Sequence, residues 1–227
     1  MNSIHQSFRI LFCTVTLLVS CRYACISQIQ VRDEPKHRPV LENKFIRILD
    51  VWIKGGDSCK FHLHNTPSLF VYLSSARVRT QVQGEQPVEQ KVEPGQTWYN
   101  SFSDKPLVHR AWVRDVSSLH AIDIELLGEL PFSLSEYLTA SGLTLLQDST
   151  RHRTYRFELP PSTRLQLQSK EYPVIIITYK GDGDISDPEG RSDLYQGQFH
   201  WMDKQGSLEL KNKGEGRMEG YVYEIKQ

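Results

Sequence analysis

From Gln28 onward the side chains repeat with a period of two, which restricts the chain to β-structure with one wet and one dry face per strand. In Arg77-Val78-Arg79-Thr80-Gln81-Val82, charged or amide side chains alternate with β-branched ones. Similar short runs follow at Phe45 to Ile53, Leu69 to Leu73, Val88 to Val92, Leu107 to Val113, Leu119 to Leu126, Thr154 to Leu159, Val174 to Thr178 and Tyr221 to Ile225. Many short strands separated by turn signals predict a sandwich or barrel. The one helical pattern is Ser133 to Ser141, where Ser133 and Glu136 make a capping box, Leu134 and Leu138 share a face, and Gly142 supplies a stop. It is expected to connect two strand-rich blocks.

Those blocks echo each other. Phe45-Ile46-Arg47 is matched by Thr154-Tyr155-Arg156, Phe61 to Asn65 by Leu165 to Ser169, and Gly95-Gln96-Thr97-Trp98 by Gly197-Gln198-Phe199-His200. Each block closes on an apolar strand carrying a glutamate, Glu125 or Glu224. A chain of 227 residues accommodates two modest cores, so a duplicated barrel is expected.

The N-terminus reads as an export signal: Arg9 precedes an apolar run from Ile10 to Ser20, and no acid stands before Asp33. The run is shorter than the roughly 20 residues of a membrane-spanning helix. Two processing sites compete. Leu18-Val19-Ser20-Cys21 resembles a bacterial lipoprotein box, which would make Cys21 the lipidated N-terminus. Cys25-Ile26-Ser27 before Gln28 suits ordinary signal peptidase. The expected location is the periplasm or, with the lipid, the cell envelope. Cys13, Cys21 and Cys25 belong to this region, which leaves Cys59 as a small buried side chain in the folded body. With 27 basic against 27 acidic residues there is no footprint for a nucleic-acid backbone. Membrane contact is expected only through a lipid on Cys21.

The chemistry concentrates in the first block. His62 and His64 stand two apart on a strand, so both imidazoles leave the same face and can take adjacent positions on one ion. His109, on a strand more than forty residues later, is placed to join them in an antiparallel barrel. Imidazole suits several first-row divalent ions, and Fe, Zn, Mn and Ni all remain open. Ser68, Phe70 and Tyr72 share one face of a neighbouring strand and are candidates to line a pocket beside the metal. Arg47, with Arg77, Arg79 and Arg110, is a candidate to meet a carboxylate or enolate. Asp123 and Glu125 read as a solvent face, and Lys180 to Gly190 as a strand-joining turn rather than a calcium loop.

At these residues the sequence resembles the cupin superfamily, whose first motif reads Gly, five residues, His-x-His, three or four residues, Glu, six residues, Gly. Gly56 with His62-Leu63-His64 fits its first half. Ser68 or Leu69 stands where the Glu ligand belongs, and Ser75 or Ala76 where the closing glycine belongs. In the second motif, the stretch from Gly95 to His109 is three residues longer than the pattern, lacks Pro-x-Gly, and has Val113 in place of Asn. The resemblance implies an all-β chain of two tandem jelly-roll barrels. The expected division is a signal over 1–27 (or 1–20), an arm over 28–41, a metal-bearing barrel over 42–130, a helical linker over 131–150 and a degenerate barrel over 151–227. In the second barrel Gln166 and Gln168 stand in for the histidine pair.

The expected function is binding of a mononuclear divalent metal through His62, His64 and His109, together with a small, anionic organic ligand. The alternative is a metal-dependent dioxygenase or isomerase acting on a small organic acid or diketone-like substrate. A homodimer is compatible with either.

Overall fold

A computed structural model describes residues 28–128, 136–169, 173–202 and 205–226. The signal region and Cys21 lie outside the described residues. The first barrel contains β1 (Ile29–Gln30), β2 (His37–Glu42), β3 (Ile46–Ile53), β4 (His62–His64), β5 (Ser68–Tyr72), β6 (Ala76–Val82), β7 (Val88–Val92), β8 (Thr97–Asn100), β9 (Leu107–Val113) and β10 (Leu119–Leu126). Its two sheets run in the orders β1-β4-β9-β6-β7 and β2-β3-β10-β5-β8.

The second barrel contains β11 (Leu143–Asp148), β12 (His152–Leu159), β13 (Arg164–Ser169), β14 (Val174–Lys180), β15 (Gly183–Asp187), β16 (Gly190–Leu194), β17 (Phe199–Met202), β18 (Gly206–Asn212) and β19 (Met218–Ile225). Its sheet orders, β11-β12-β19-β14-β17 and β13-β18-β15-β16, are those of the first barrel without β1. The duplication extends to single turns. Gly95 and Gly197 both take φ +84°, and each donates its N–H to a carbonyl of the strand beside it, Tyr72 or Thr178. The following glutamines, Gln96 and Gln198, accept from the amides of Glu93 and Tyr195.

The strands read from periodicity are present, but two boundaries move and no helix is found at 136–141. The expected N-terminal arm holds β1, paired in parallel with the His-x-His strand, and β2, paired with β3. The expected linker ends in β11, an edge strand of the second barrel. Ser133 to Ser135 of the expected helix lie outside the described residues, and residues 136–141 are irregular rather than helical. A tertiary anchor overrides the local pattern there, because Leu138 is buried in the second core and its amide donates to the Tyr155 hydroxyl at 3.2 Å. The stretch Lys180 to Gly190 forms the β15–β16 hairpin, with the Asp187 carboxylate accepting the amides of Glu189 and Gly190.

The two barrels join face to face. Ile46, Ile48, Leu69, Val71, Ile122 and Ile124 of the first pack into one core with Ile175, Ile177, Tyr221 and Tyr223 of the second. The central strands β3, β5 and β10 therefore bury both faces. This corrects one expectation: Asp123 and Glu125 point into the first barrel, 1% and 2% exposed. The alternation that suggested a wet face marks a polar barrel interior instead.

Arg47 lies in that interior as a structural ion. Its guanidinium donates to Glu125 across the β3–β10 pair at 2.6 Å and to Glu42 at 2.8 and 2.9 Å. The same cross-strand pair recurs in the second barrel as Arg153 and Glu224 on β12 and β19. Arg47 is thus the counterpart of Arg153 rather than of Arg156. Removing one member of a buried pair leaves the other charge unpaired, at a cost of about 3–5 kcal/mol. Arg47→Met should lower the urea midpoint accordingly, with Glu125→Leu in the same chain recovering much of the loss. A single variant as stable as the parent would contradict this role.

Candidate metal centre

The antiparallel register of β4 and β9 sets His62 directly opposite His109. His64, two residues on, projects from the same face, and the three rings converge with centroids 4.7 to 5.0 Å apart. The His64 Nε2 stands 3.1 Å from the Nε2 of both His62 and His109. Two imidazoles on one first-row ion, with bonds of about 2.0–2.1 Å, place their nitrogens about 3.0–3.4 Å apart. The spacing is that of ligands around a shared ion.

Tautomers point the same way. The His62 Nδ1 lies 2.8 Å from the Lys60 carbonyl and must donate to it, so its Nε2 presents a lone pair to the cluster. His64 can direct a single Nε2–H at one neighbour only. A cation satisfies all three nitrogens together. The His64 Nδ1 has no hydrogen-bond partner and faces the Asp123 Oδ2 at 3.7 Å, while both Asp123 oxygens are likewise unpartnered. With Nε2 on a metal, His64 carries its proton on Nδ1 and aims it at Asp123, the carboxylate–histidine arrangement that orients metal ligands. Burial, then the charge of Glu125, pushes the Asp123 carboxyl well above the ordinary range.

Burial also keeps the imidazoles neutral. It lowers His62 to about 3, reinforced by His37 and His109, and His109 to about 4, while His64 falls further still. Neutral imidazole is the ligating form. A fourth histidine, His37 on β2, escaped the sequence reading: the nearest ring nitrogens of His37, His62 and His64 lie within 4.8 Å of one another. Two overlapping triads therefore share His62 and His64, one completed by His109 and the other by His37.

A cavity of about 600 Å³ opens on the histidines, lined by His64, His109, Phe70, Tyr72, Trp98, Phe102, Thr80, Gln90, Gln96, Thr97, Asn100 and Leu107. Phe70 stacks on Trp98 with 4.9 Å between centroids and 11° between planes. Phe70 and Tyr72, two apart on β5, both line the cavity. Ser68 does not line it; buried below, it donates to the Thr66 carbonyl beside Asp123. None of the arginines lines it either. Arg47 is held by its two glutamates, Arg79 pairs with Glu89, and Arg110 lies over Phe61 and Trp112. Arg77 is exposed on the opposite face of β6. The expected arginine contact with an anionic ligand is corrected to a pocket of rings and uncharged polar groups. Trp98, Phe102 and the amides escaped the sequence reading because they lie on short strands and loops without a clear period. Cys59, buried at the apolar end, has its thiol pushed up to about 11 by burial and is unreactive near neutrality.

No family model matches the sequence, and no curated protein does. Solved structures match it along most of its length. One is a cupin 2 conserved barrel domain protein from Leptotrichia buccalis, with 7% identity, TM-score 0.53 and coverage of 83% of this chain and 88% of that one. The fold is a cupin fold. A salicylate 1,2-dioxygenase from Pseudoaminobacter salicylatoxidans in complex with gentisate aligns at 10% identity with TM-score 0.61, covering 84% of this chain and 74% of the other. An oxalate decarboxylase from Lactobacillus farciminis, as its formate complex, aligns at 9% identity with TM-score 0.56, covering 88% and 80%. In this chain the histidines of the first barrel sit on β4 and β9, and the corresponding strands of the second are β13 and β18. There the inward positions carry Leu165, Leu167, Leu208 and Leu210, all buried in an apolar core. Gln166 and Gln168 are exposed on the outer face, which corrects their alignment with His62 and His64. They border a separate surface cavity of about 840 Å³ with Ser186, Asp187, Ser207 and Glu209.

Proposed function

We propose that the first barrel binds a mononuclear first-row metal and uses it to act on a small, ring-bearing, chelating organic molecule, with oxygenation as the favoured chemistry. The observation that carries this reading is the cavity composition. Its imidazoles are the proposed metal ligands, no carboxylate or lysine lines it among the described residues, and the one other titratable side chain there, Tyr72, has its hydroxyl pushed up to about 12 by burial, out of range for a base near neutrality. Hydrolysis and isomerisation call for a positioned general base. Oxygenation relies instead on the ion, which when bound supplies Lewis acidity and open positions for ligand and dioxygen.

The chain's own residues then have distinct tasks. Phe70, Trp98 and Phe102 hold the flat body of the ligand and exclude water, while Gln90, Gln96 and Asn100 offer hydrogen bonds to its polar edge. Ligand charge is met by the ion, because the lining supplies no arginine. The salicylate dioxygenase and its gentisate complex suggest hydroxylated aromatic acids as the first compounds to try. Protein loaded with ferrous iron should consume oxygen in the presence of such an acid, and a Phe70→Ala variant should do so with raised KM. Binding without oxygen uptake across a broad set of aromatic and diketone-like acids would overturn the enzymatic reading and favour a binding protein. Export, with cleavage before Gln28 or lipidation at Cys21, belongs to the same proposal and is tested by the mass of the mature N-terminus.

A further inference from the structure

We propose that His37 is a further ligand of this metal, occupying the role left open by the missing glutamate, and that Glu34 is its positioning residue. The inference rests on the metal reading above and adds to it a segment outside both cupin motifs. His37 is 7% exposed and its ring centroid lies 4.5 Å from that of His62. Its Nδ1 is 2.9 Å from the Glu34 Oε2. The same carboxyl group accepts the backbone amides of Lys60 on Oε1 and Lys36 on Oε2, so both of its oxygens act as acceptors. In the neutral ring, donation from Nδ1 to these acceptor oxygens leaves the Nε2 lone pair of His37 free. That is the tautomer and second-shell partner of a metal-binding histidine.

The backbone reinforces the arrangement. Glu34 accepts the Lys60 amide at 3.1 Å and the Lys36 amide at 2.7 Å. The carbonyl of that same Lys60 fixes the ring of His62. β1 pairs with β4, setting Ile29 opposite His62, and Val31 is buried against Leu49 and Val51. One short segment thus reaches the His-x-His strand through a strand pair, a carboxylate and a ring. Two ligands in trans positions stand about 4.2 Å apart, so a set confined within 4.8 Å closes on an ion with movements of about half an ångström.

The test uses Co²⁺ as the probe with the full mature chain. X-ray absorption on the parent should count four imidazoles on the ion. His37→Gln, whose amide can still donate to Glu34, should lower Co²⁺ affinity more than tenfold and reduce the count to three. Glu34→Gln should keep four imidazoles while weakening binding by about 10–100-fold, the range for an outer-shell partner. A parent that binds Co²⁺ through three imidazoles, with His37→Gln binding as tightly, would overturn this inference alone. A parent that binds no Co²⁺ would overturn the metal reading together with it. The count on the parent needs no variant, so a replacement that fails to fold does not shelter the proposal.

Discussion

His64→Ala should abolish tight metal binding while leaving the fold in place. His64 stands 3.1 Å from both other Nε2 atoms, so it takes part in both of these close nitrogen pairs. Its loss should exceed the roughly 10–100-fold that outer-shell changes cost. His64 also lines the cavity, so truncation enlarges an existing space rather than opening a new void in an apolar core. Circular dichroism and the metal-free melting temperature should stay close to the parent's, whereas chelator competition should show the metal gone. Retention of parent-like affinity would remove His64 from the site.

The second large effect is on stability in acid. His62 is lowered to about 3, and His109 and His152 to about 4, with burial the leading cause in each. The unfolded imidazole titrates near ~6.5. In the folded state these rings stay neutral while the unfolded chain takes up protons, so their cost is absent above about 6.5 and grows as pH falls from there toward 4. Each contributes a loss of roughly 1.4 kcal/mol per pH unit in that window. Asp123 works in the opposite sense: its raised carboxyl is penalised when ionised and relieved on protonation. The Glu224 carboxyl is raised likewise, and the four lowered histidines, His64 included, outnumber these two. The urea midpoint of the metal-free protein should therefore fall steeply between pH 6.5 and 4.5, and a flat profile would contradict the buried, neutral cluster. Burial also shifts proton competition with the metal. Free histidines would lose metal between about pH 7 and 5, whereas these rings should resist protonation to nearer 4 and lose metal mainly when the barrel unfolds.

Much of the site was legible because its signal is local. His62 and His64 declare a shared face by their spacing, and the repeat of Gly95-Gln96 in Gly197-Gln198 marks the same turn in both barrels. His37 was not legible. It stands in His37-Arg38-Pro39, where Pro39 and a bulge between Pro39 and Leu41 interrupt the alternation, and only the tertiary pairing of β2 with β3 aims it inward. Asp123 was misread for a different reason. A polar stripe on a strand is the same pattern whether it meets water or a polar interior, and what distinguishes the two is the Ile122-Ile124-Leu126 stripe docking on the second barrel. The Gln166 and Gln168 alignment failed by one residue, which in a strand reverses the face. Weak strands such as β15 and β16, rich in Gly, Ser and Asp, carry little β propensity and are held by their hairpin.

The central claim is that the convergent nitrogens of His62, His64 and His109 hold a metal ion. Elemental analysis of protein refolded or expressed with Fe, Zn, Mn and Ni, then freed of loosely bound ions, tests it most directly. The account predicts close to one first-row divalent ion per chain in the parent and none in a His62→Ala, His64→Ala double variant. Metal-replete parent protein that carries no ion, or a double variant that carries as much as the parent, would contradict it.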